Sequence, residues 1–66
     1  MYDSDPQFII FGDVLTGYWW RLRSPKGVTL QSSGRTLRHK AECEWEVCRL
    51  KDERYPSAQV RDATIG

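Results

Sequence analysis

Apolar and polar side chains alternate most clearly over Gly17 to Arg23, GYWWRLR. A period of two predicts a β-strand, with Tyr18, Trp20 and Leu22 on one side of a sheet and Trp19, Arg21 and Arg23 on the other. The first set reads as core. The second sets an indole beside two guanidinium groups on a wet surface, so it is either a shielded packing face or a binding face. Upstream, Phe8-Ile9-Ile10-Phe11 is branched and aromatic and is closed by Gly12-Asp13, which predicts a first strand with Phe8 and Ile10 on one face. The segment from Gly12 to Gly17 is then a turn, with Val14 and Leu15 apolar enough to fold back over the core edge. Ser24-Pro25-Lys26-Gly27 predicts a reversal, because Pro presets the first corner and Gly supplies a positive φ. A third strand is predicted from Val28 to Ser32, alternating Val28 and Leu30 with Thr29 and Gln31, and ended by Ser33-Gly34.

A period near 3.6 then takes over. From Leu37 to Glu53 there is no Gly or Pro, and Thr36 is placed to accept from an orphan amide at a helix start. Cys43, Val47 and Leu50 fall on one stripe, the inner face of a helix that covers a sheet. Ala41, Trp45 and Cys48 repeat the spacing on the far side, where a solvated helix should be polar. Glu42, Glu44 and Glu46 are expected to be ordinary charged exterior, with Glu46 in reach of Arg49. Trp45 is the anomaly, explained by an outside contact, by a rolled helix, or by a cover of Val14, Leu15 or the C-terminal tail. Pro56 ends the helix, and Ala58 to Ala63 alternates as a short closing edge strand. The expected fold is α+β: a three-stranded antiparallel meander, one helix packed on the sheet, and a C-terminal strand. Residues 1–6 are expected to be a flexible leader and 7–64 a single domain.

Composition narrows the functional classes. A chain of 66 residues buries a small core and is marginal alone, so self-association would help it. Its two cysteines, Cys43 and Cys48, point about 140° apart on a helix and cannot bridge, so both are expected to be reduced thiols. No apolar run is long enough to span a bilayer, and MYDSDPQ lacks the regions of a secretory signal, so a cytoplasmic location is expected. The formal net charge of +1 makes any pull on nucleic acid local. His39 is the lone histidine and has no nucleophile or carboxylate placed by spacing to work with it; a surface or capping role fits it. The cysteines do not form a C-x-x-C, so no catalytic residue, metal site or cofactor is expected.

Taken in order, Phe8-Ile9-Ile10-Phe11, Gly17 with Trp20-Arg21-Leu22-Arg23, Gly27, the Ser32-Ser33-Gly34 reversal, Lys40-Ala41-Glu42-Cys43 and Ala58 to Thr64 resemble the YegP-like family of small bacterial proteins. The resemblance runs from Phe8 to Thr64. It implies a unit of three strands, a helix and a strand, present as a tandem duplicate or as a single copy that forms a homodimer with the C-terminal strands exchanged. It implies no molecular activity. Trp19 and Trp45 stand where the family often has polar or basic residues, and the stretch between Ser33 and Lys40 is slightly longer.

These readings converge on a non-catalytic dimeric module that binds a protein partner through an exposed surface of Trp19, Arg21, Arg23 and Trp45, since interfaces are enriched in Trp and Arg. The alternative is single-stranded nucleic-acid binding on the outer sheet face, with Trp19 stacking a base, Arg21 and Arg23 holding phosphate, and Arg35, Arg38 and Lys40 adding charge nearby. The near-neutral charge and the helix glutamates stand against it.

Overall fold

Branched and aromatic side chains at every position from Phe8 to Phe11 favour extended backbone, and the strand they nucleate is longer than the apolar run itself. In the computed structural model, which describes residues 5–65, β1 spans Gln7–Asp13, β2 Gly17–Arg23, β3 Thr29–Ser32, α1 Lys40–Glu53 and β4 Gln59–Asp62. The proposed leader lies mostly outside the described residues; of its described part, the Pro6 carbonyl already accepts from the Gln59 amide. The protein is α+β, a four-stranded sheet in the order β3-β2-β1-β4 with α1 on one face. Its topology follows from chain direction. The antiparallel meander leaves β3 running parallel to β1, α1 carries the chain back, and β4 enters parallel to β1 on that strand's open edge. The backbone groups of the closing strand therefore find partners within the chain, the need that a strand exchange would also meet.

The helix side of the sheet is the core. Phe8 pairs with Leu22 and Ile10 with Trp20 across β1 and β2, and all four are buried together with Leu37, Cys43, Val47 and Ala58. Phe8 meets the Trp20 and Tyr55 rings edge to face at centroid distances of 5.8 and 6.0 Å, the arrangement that aromatic quadrupoles favour. Cys43 and Val47 form the expected stripe, Leu50 packs beside them, and Cys48 is exposed. No helix among the described residues is long and apolar enough to cross a membrane.

Several expectations are corrected. Val14 and Leu15 do not fold back: they are 84% and 91% exposed, because the Asp13 carboxylate accepts from the amides of Leu15 and Thr16 and from the Thr16 hydroxyl and so sets the turn outward. Those bonds hold Asp13 below the usual carboxylate range, the Thr16 amide contributing most. The third strand starts one residue late and is exposed throughout; a bulge between Leu22 and Arg23 sets Gln31 opposite Leu22 and leaves Val28 and Leu30 in solvent. The helix starts at Lys40, not Leu37. Leu37 instead exchanges both backbone hydrogen bonds with Tyr18, at 2.8 and 2.6 Å, and buries its side chain in the core. His39 takes the N-cap position, where its amide donates to Glu42 Oε1 at 3.1 Å.

Glu46 is not ordinary exterior either. It is half-buried, accepts from the Trp20 indole N–H at 2.8 Å, and pairs with Arg35 at 3.3 Å. A core tryptophan needs an acceptor for its N–H, and Glu46 is that acceptor. Glu46→Ala is expected to lower unfolding free energy by roughly 1–3 kcal/mol, and Glu46→Gln, which keeps an acceptor oxygen, by clearly less. Urea titration followed by tryptophan fluorescence would read the difference; equal losses would mean that the acceptor is dispensable.

At the other end of the helix Lys40 is ion-paired with Asp62 on β4, which also accepts from the Thr64 amide and hydroxyl. The Lys40 hydrogen bond first, then those from Thr64, hold the Asp62 carboxyl far below its ordinary range. A depressed folded-state pKa stabilises above the unfolded value, about 3.9, and that contribution fades as pH falls toward the folded one. Both groups are solvent-exposed, so the effect is small. The melting-temperature gap between wild type and Asp62→Asn is expected to be constant near neutral pH and to close below about pH 4; a gap unchanged at low pH would contradict the pairing.

Candidate functional site

Successive residues of β1 and β2 point to opposite faces, so the registers that build the core also build its reverse. On the face away from α1, Phe11 lies opposite Trp19; Arg21, Ile9 and Arg61 form the next row across β2, β1 and β4; Arg23, Gln7 and Gln59 form the last. No other element among the described residues covers this face. Phe11 and Trp19 are half-buried and stacked, with centroids 5.8 Å apart and planes 18° from parallel. The Arg21 guanidinium lies over the Phe11 ring at 5.8 Å. Ile9 is only 6% exposed on this open side, and its direct cross-strand neighbours are the exposed Arg21 and Arg61.

Charge is sorted between the two sides. Five of the nine acidic residues lie on α1, Glu42, Glu44, Glu46, Asp52 and Glu53, whereas Arg21, Arg23 and Arg61 share the open face and make no ion pair among the described residues. Of the acids near this surface, Asp13 is engaged in its own turn and Asp5 lines the concavity that Arg23 and Arg61 share. A net charge of +1 therefore conceals a basic sheet face and a helix of mixed charge, on which Lys40, Arg49 and Lys51 stand among the five acids. Two concavities mark the ends of the basic face. One of about 370 Å³ adjoins Trp19 and is lined by Arg21, Ser32, Ser33, Arg35 and Thr36; the other, of about 420 Å³, lies between Arg23 and Arg61.

Of the four residues singled out from sequence, Trp19, Arg21 and Arg23 come together here. Trp45 does not. It lies on the solvent side of α1, 63% exposed, with the Arg49 guanidinium 5.5 Å from its ring and a concavity on either side, one floored by Trp20 and Leu50 and the other by Leu37. Arg35 reaches Glu46 rather than open solvent alone, and Lys40 is committed to Asp62. Arg61, Phe11 and Ile9 belong to the face and were not among the sequence candidates. Their signal is the odd-numbered parity that β1 shares with β2, together with a closing strand laid beside β1. The second cannot be read without the topology. Among the described residues no group of three or more His, Cys, Asp or Glu side chains is placed to hold a metal ion. Burial first, and then the helix glutamates, push the Cys43 thiol above its usual range. No protein-family model, curated protein or solved structure matches the chain.

Proposed function

We propose that this protein is a non-catalytic binding module, of the YegP-like kind, whose open sheet face takes single-stranded nucleic acid. The observation that carries this reading is one surface that holds a stacked aromatic pair and three arginines that form no ion pair among the described residues, with one carboxylate, Asp5, beside its Arg23–Arg61 end. Every base has a π-face that an indole can stack against, and guanidinium groups in adjacent rows match phosphates along a strand. A single strand suits an open sheet face because its bases are free to splay out, whereas bases in a duplex are stacked inside. The helix on the reverse intersperses five acids with Lys40, Arg49 and Lys51, and so offers a polyanion no unopposed cluster of arginines. A homodimer by exchange of β4 would pair β4 with a second copy's β1 in the same register and leave the rows of this face unchanged.

The test is fluorescence anisotropy of a labelled homopolymeric oligonucleotide, DNA and RNA, from low to moderate salt. Three phosphate contacts predict a slope of log K on log salt of about −2. Binding with no salt dependence, or none at low salt, would remove the proposal.

A second reading rests on Trp45. An indole that is 63% exposed, set between two concavities on a mixed-charge helix, suits a protein partner on that side. Trp45→Ala would then lower capture of that partner without altering oligonucleotide affinity.

A further inference from the structure

The two edges of the sheet are guarded unequally. β4 carries Arg61 and Asp62, with Asp62 held by Lys40, and a charged edge of this kind resists pairing with another strand. β3 has no such guard. From Val28 to Gly34 the sequence is VTLQSSG, without a charge or a proline, and β3 is exposed at every residue. It stands last in the strand order, so the row of backbone N–H and C=O groups that it turns away from β2 has no strand partner among the described residues. Val28 and Leu30 beside that row are 59% and 52% exposed. The bulge at Leu30 shortens the regular stretch but adds no charge to it. The helix leaves the same side unfinished. Gln31 of β3 and Trp45, Arg49 and Glu53 of α1 line one concavity of about 420 Å³, so the exposed indole overlooks the open edge. Glu46, beside Trp45, bonds to Trp20 and to Arg35 just beyond β3, which fixes the way this side of α1 faces.

We propose that β3 is a self-association edge, at which two copies of this chain pair β3 antiparallel to β3 and join their four-stranded sheets into one, with Trp45 of each helix on the helix side of the seam. An uncharged strand can lie against its own copy without setting like charges opposite one another. The two-fold axis of such a pair is perpendicular to the sheet, so both helices lie on one face and run in opposite directions. The side of α1 that overlooks β3 has Glu42 near its start and Arg49 and Arg54 near its end, and the reversed copy brings these unlike ends together. A short strand pair alone falls below the ~1,200 Å² that a specific interface buries in total. The two indoles, at roughly 150 Å² or more each, and the apolar side chains of Val28 and Leu30 add to it from both copies. Each copy has one such edge, so the contact closes at two. It lies at the far end of the sheet from β4, needs no strand exchange, and does not rest on the nucleic-acid reading.

Sedimentation equilibrium of the full chain over a range of concentrations tests the pairing, with Leu30→Lys on the β3 edge, Val60→Lys on the β4 edge and Trp45→Ala on the helix. Wild type is expected to pass from monomer to dimer as concentration rises. Leu30→Lys sets like charges along the seam and should raise the dimer dissociation constant by about tenfold or more, as should loss of the Trp45 indole. Val60→Lys should leave it unchanged. A wild type that stays monomeric, a dimer indifferent to Leu30→Lys, or one broken by Val60→Lys instead would each overturn the proposal; in the first case the edge is open to a strand of another protein, and in the last the contact belongs to β4. Amide hydrogen exchange of wild type gives a reading that needs no variant. The outward amides of β3 should exchange more slowly as protein concentration rises, and rates constant over the same range would also overturn it. Neither measurement contains an oligonucleotide, so its result stands apart from the nucleic-acid proposal.

Discussion

Gly12→Ala is expected to disrupt the β1–β2 hairpin and cost about 3 kcal/mol or more of stability. Gly12 has a φ of +124°, outside the range L side chains readily adopt, which alone carries a penalty of about 1–3 kcal/mol. The added methyl has nowhere to go. It would overlap the Gly17 carbonyl oxygen and lie 2.7 Å from the Tyr18 Cα, and both are backbone, so no side-chain rotation relieves the clash. Gly12 also pairs with Tyr18 in the register, and Tyr18 is the residue whose amide and carbonyl anchor Leu37. A displaced hairpin end therefore loosens the link between β2 and the approach to α1. At about 0.05–0.15 kcal/mol per residue the whole domain has roughly 3–10 kcal/mol to lose. Thermal melting should show a large drop or no cooperative transition, whereas Gly27→Ala, with open space around it, should show only the modest cost of its positive φ. Comparable melting temperatures for the two variants would contradict the steric account.

The second large effect is functional and should leave the fold intact. Arg21→Gln with Arg61→Gln is expected to weaken single-strand binding by roughly 10- to 100-fold and to flatten the salt slope by about 1.4, the value for two lost phosphate contacts. Glutamine is the informative replacement because it keeps part of each aliphatic stem beside Ile9 while removing the charge and, at position 21, the guanidinium over the Phe11 ring. Both arginines are exposed and outside any ion pair among the described residues, so stability should fall by no more than about 1 kcal/mol, most of it from the lost contact of Arg21 with the Phe11 ring. Trp19→Ala should also weaken binding, by about 1–3 kcal/mol per stacked base, but it additionally removes the contact with Phe11 and will lower stability somewhat. An unchanged affinity in the double arginine variant, with unchanged stability, would show that the basic rows do not hold phosphate.

The parts of this molecule that local periodicity controls were legible from its residues. Alternation placed Tyr18, Trp20 and Leu22 inward and Trp19, Arg21 and Arg23 outward, and the helical stripe of Cys43 and Val47 is buried as its spacing predicts. Features decided by distant partners were not. Leu37 has a side chain and neighbours suited to a helix, but two backbone bonds to Tyr18 claim it for the sheet edge. Glu46 looks like surface until the Trp20 indole, 26 positions away, is seen to need an acceptor. The outward aim of Val14 and Leu15 depends on one carboxylate, that of Asp13, binding its own turn. The binding face shows the same division: the three candidates on β2 were visible, while Arg61 joins them only because β4 runs parallel beside β1. The candidate set from sequence also grouped Trp45 with Trp19, and the fold assigns them to opposite sides of the sheet and helix.

The central claim is that the open sheet face, and not the helix side, receives a single strand. It is tested most directly by following backbone amide resonances while an unlabelled single-stranded oligonucleotide is added at low salt. The account predicts shifts concentrated on Ile9, Phe11, Trp19, Arg21 and Arg61, with the exposed side of α1 at Glu44, Cys48 and Asp52 unmoved. Shifts clustered around Trp45 and Arg49, or no shifts anywhere, would contradict it.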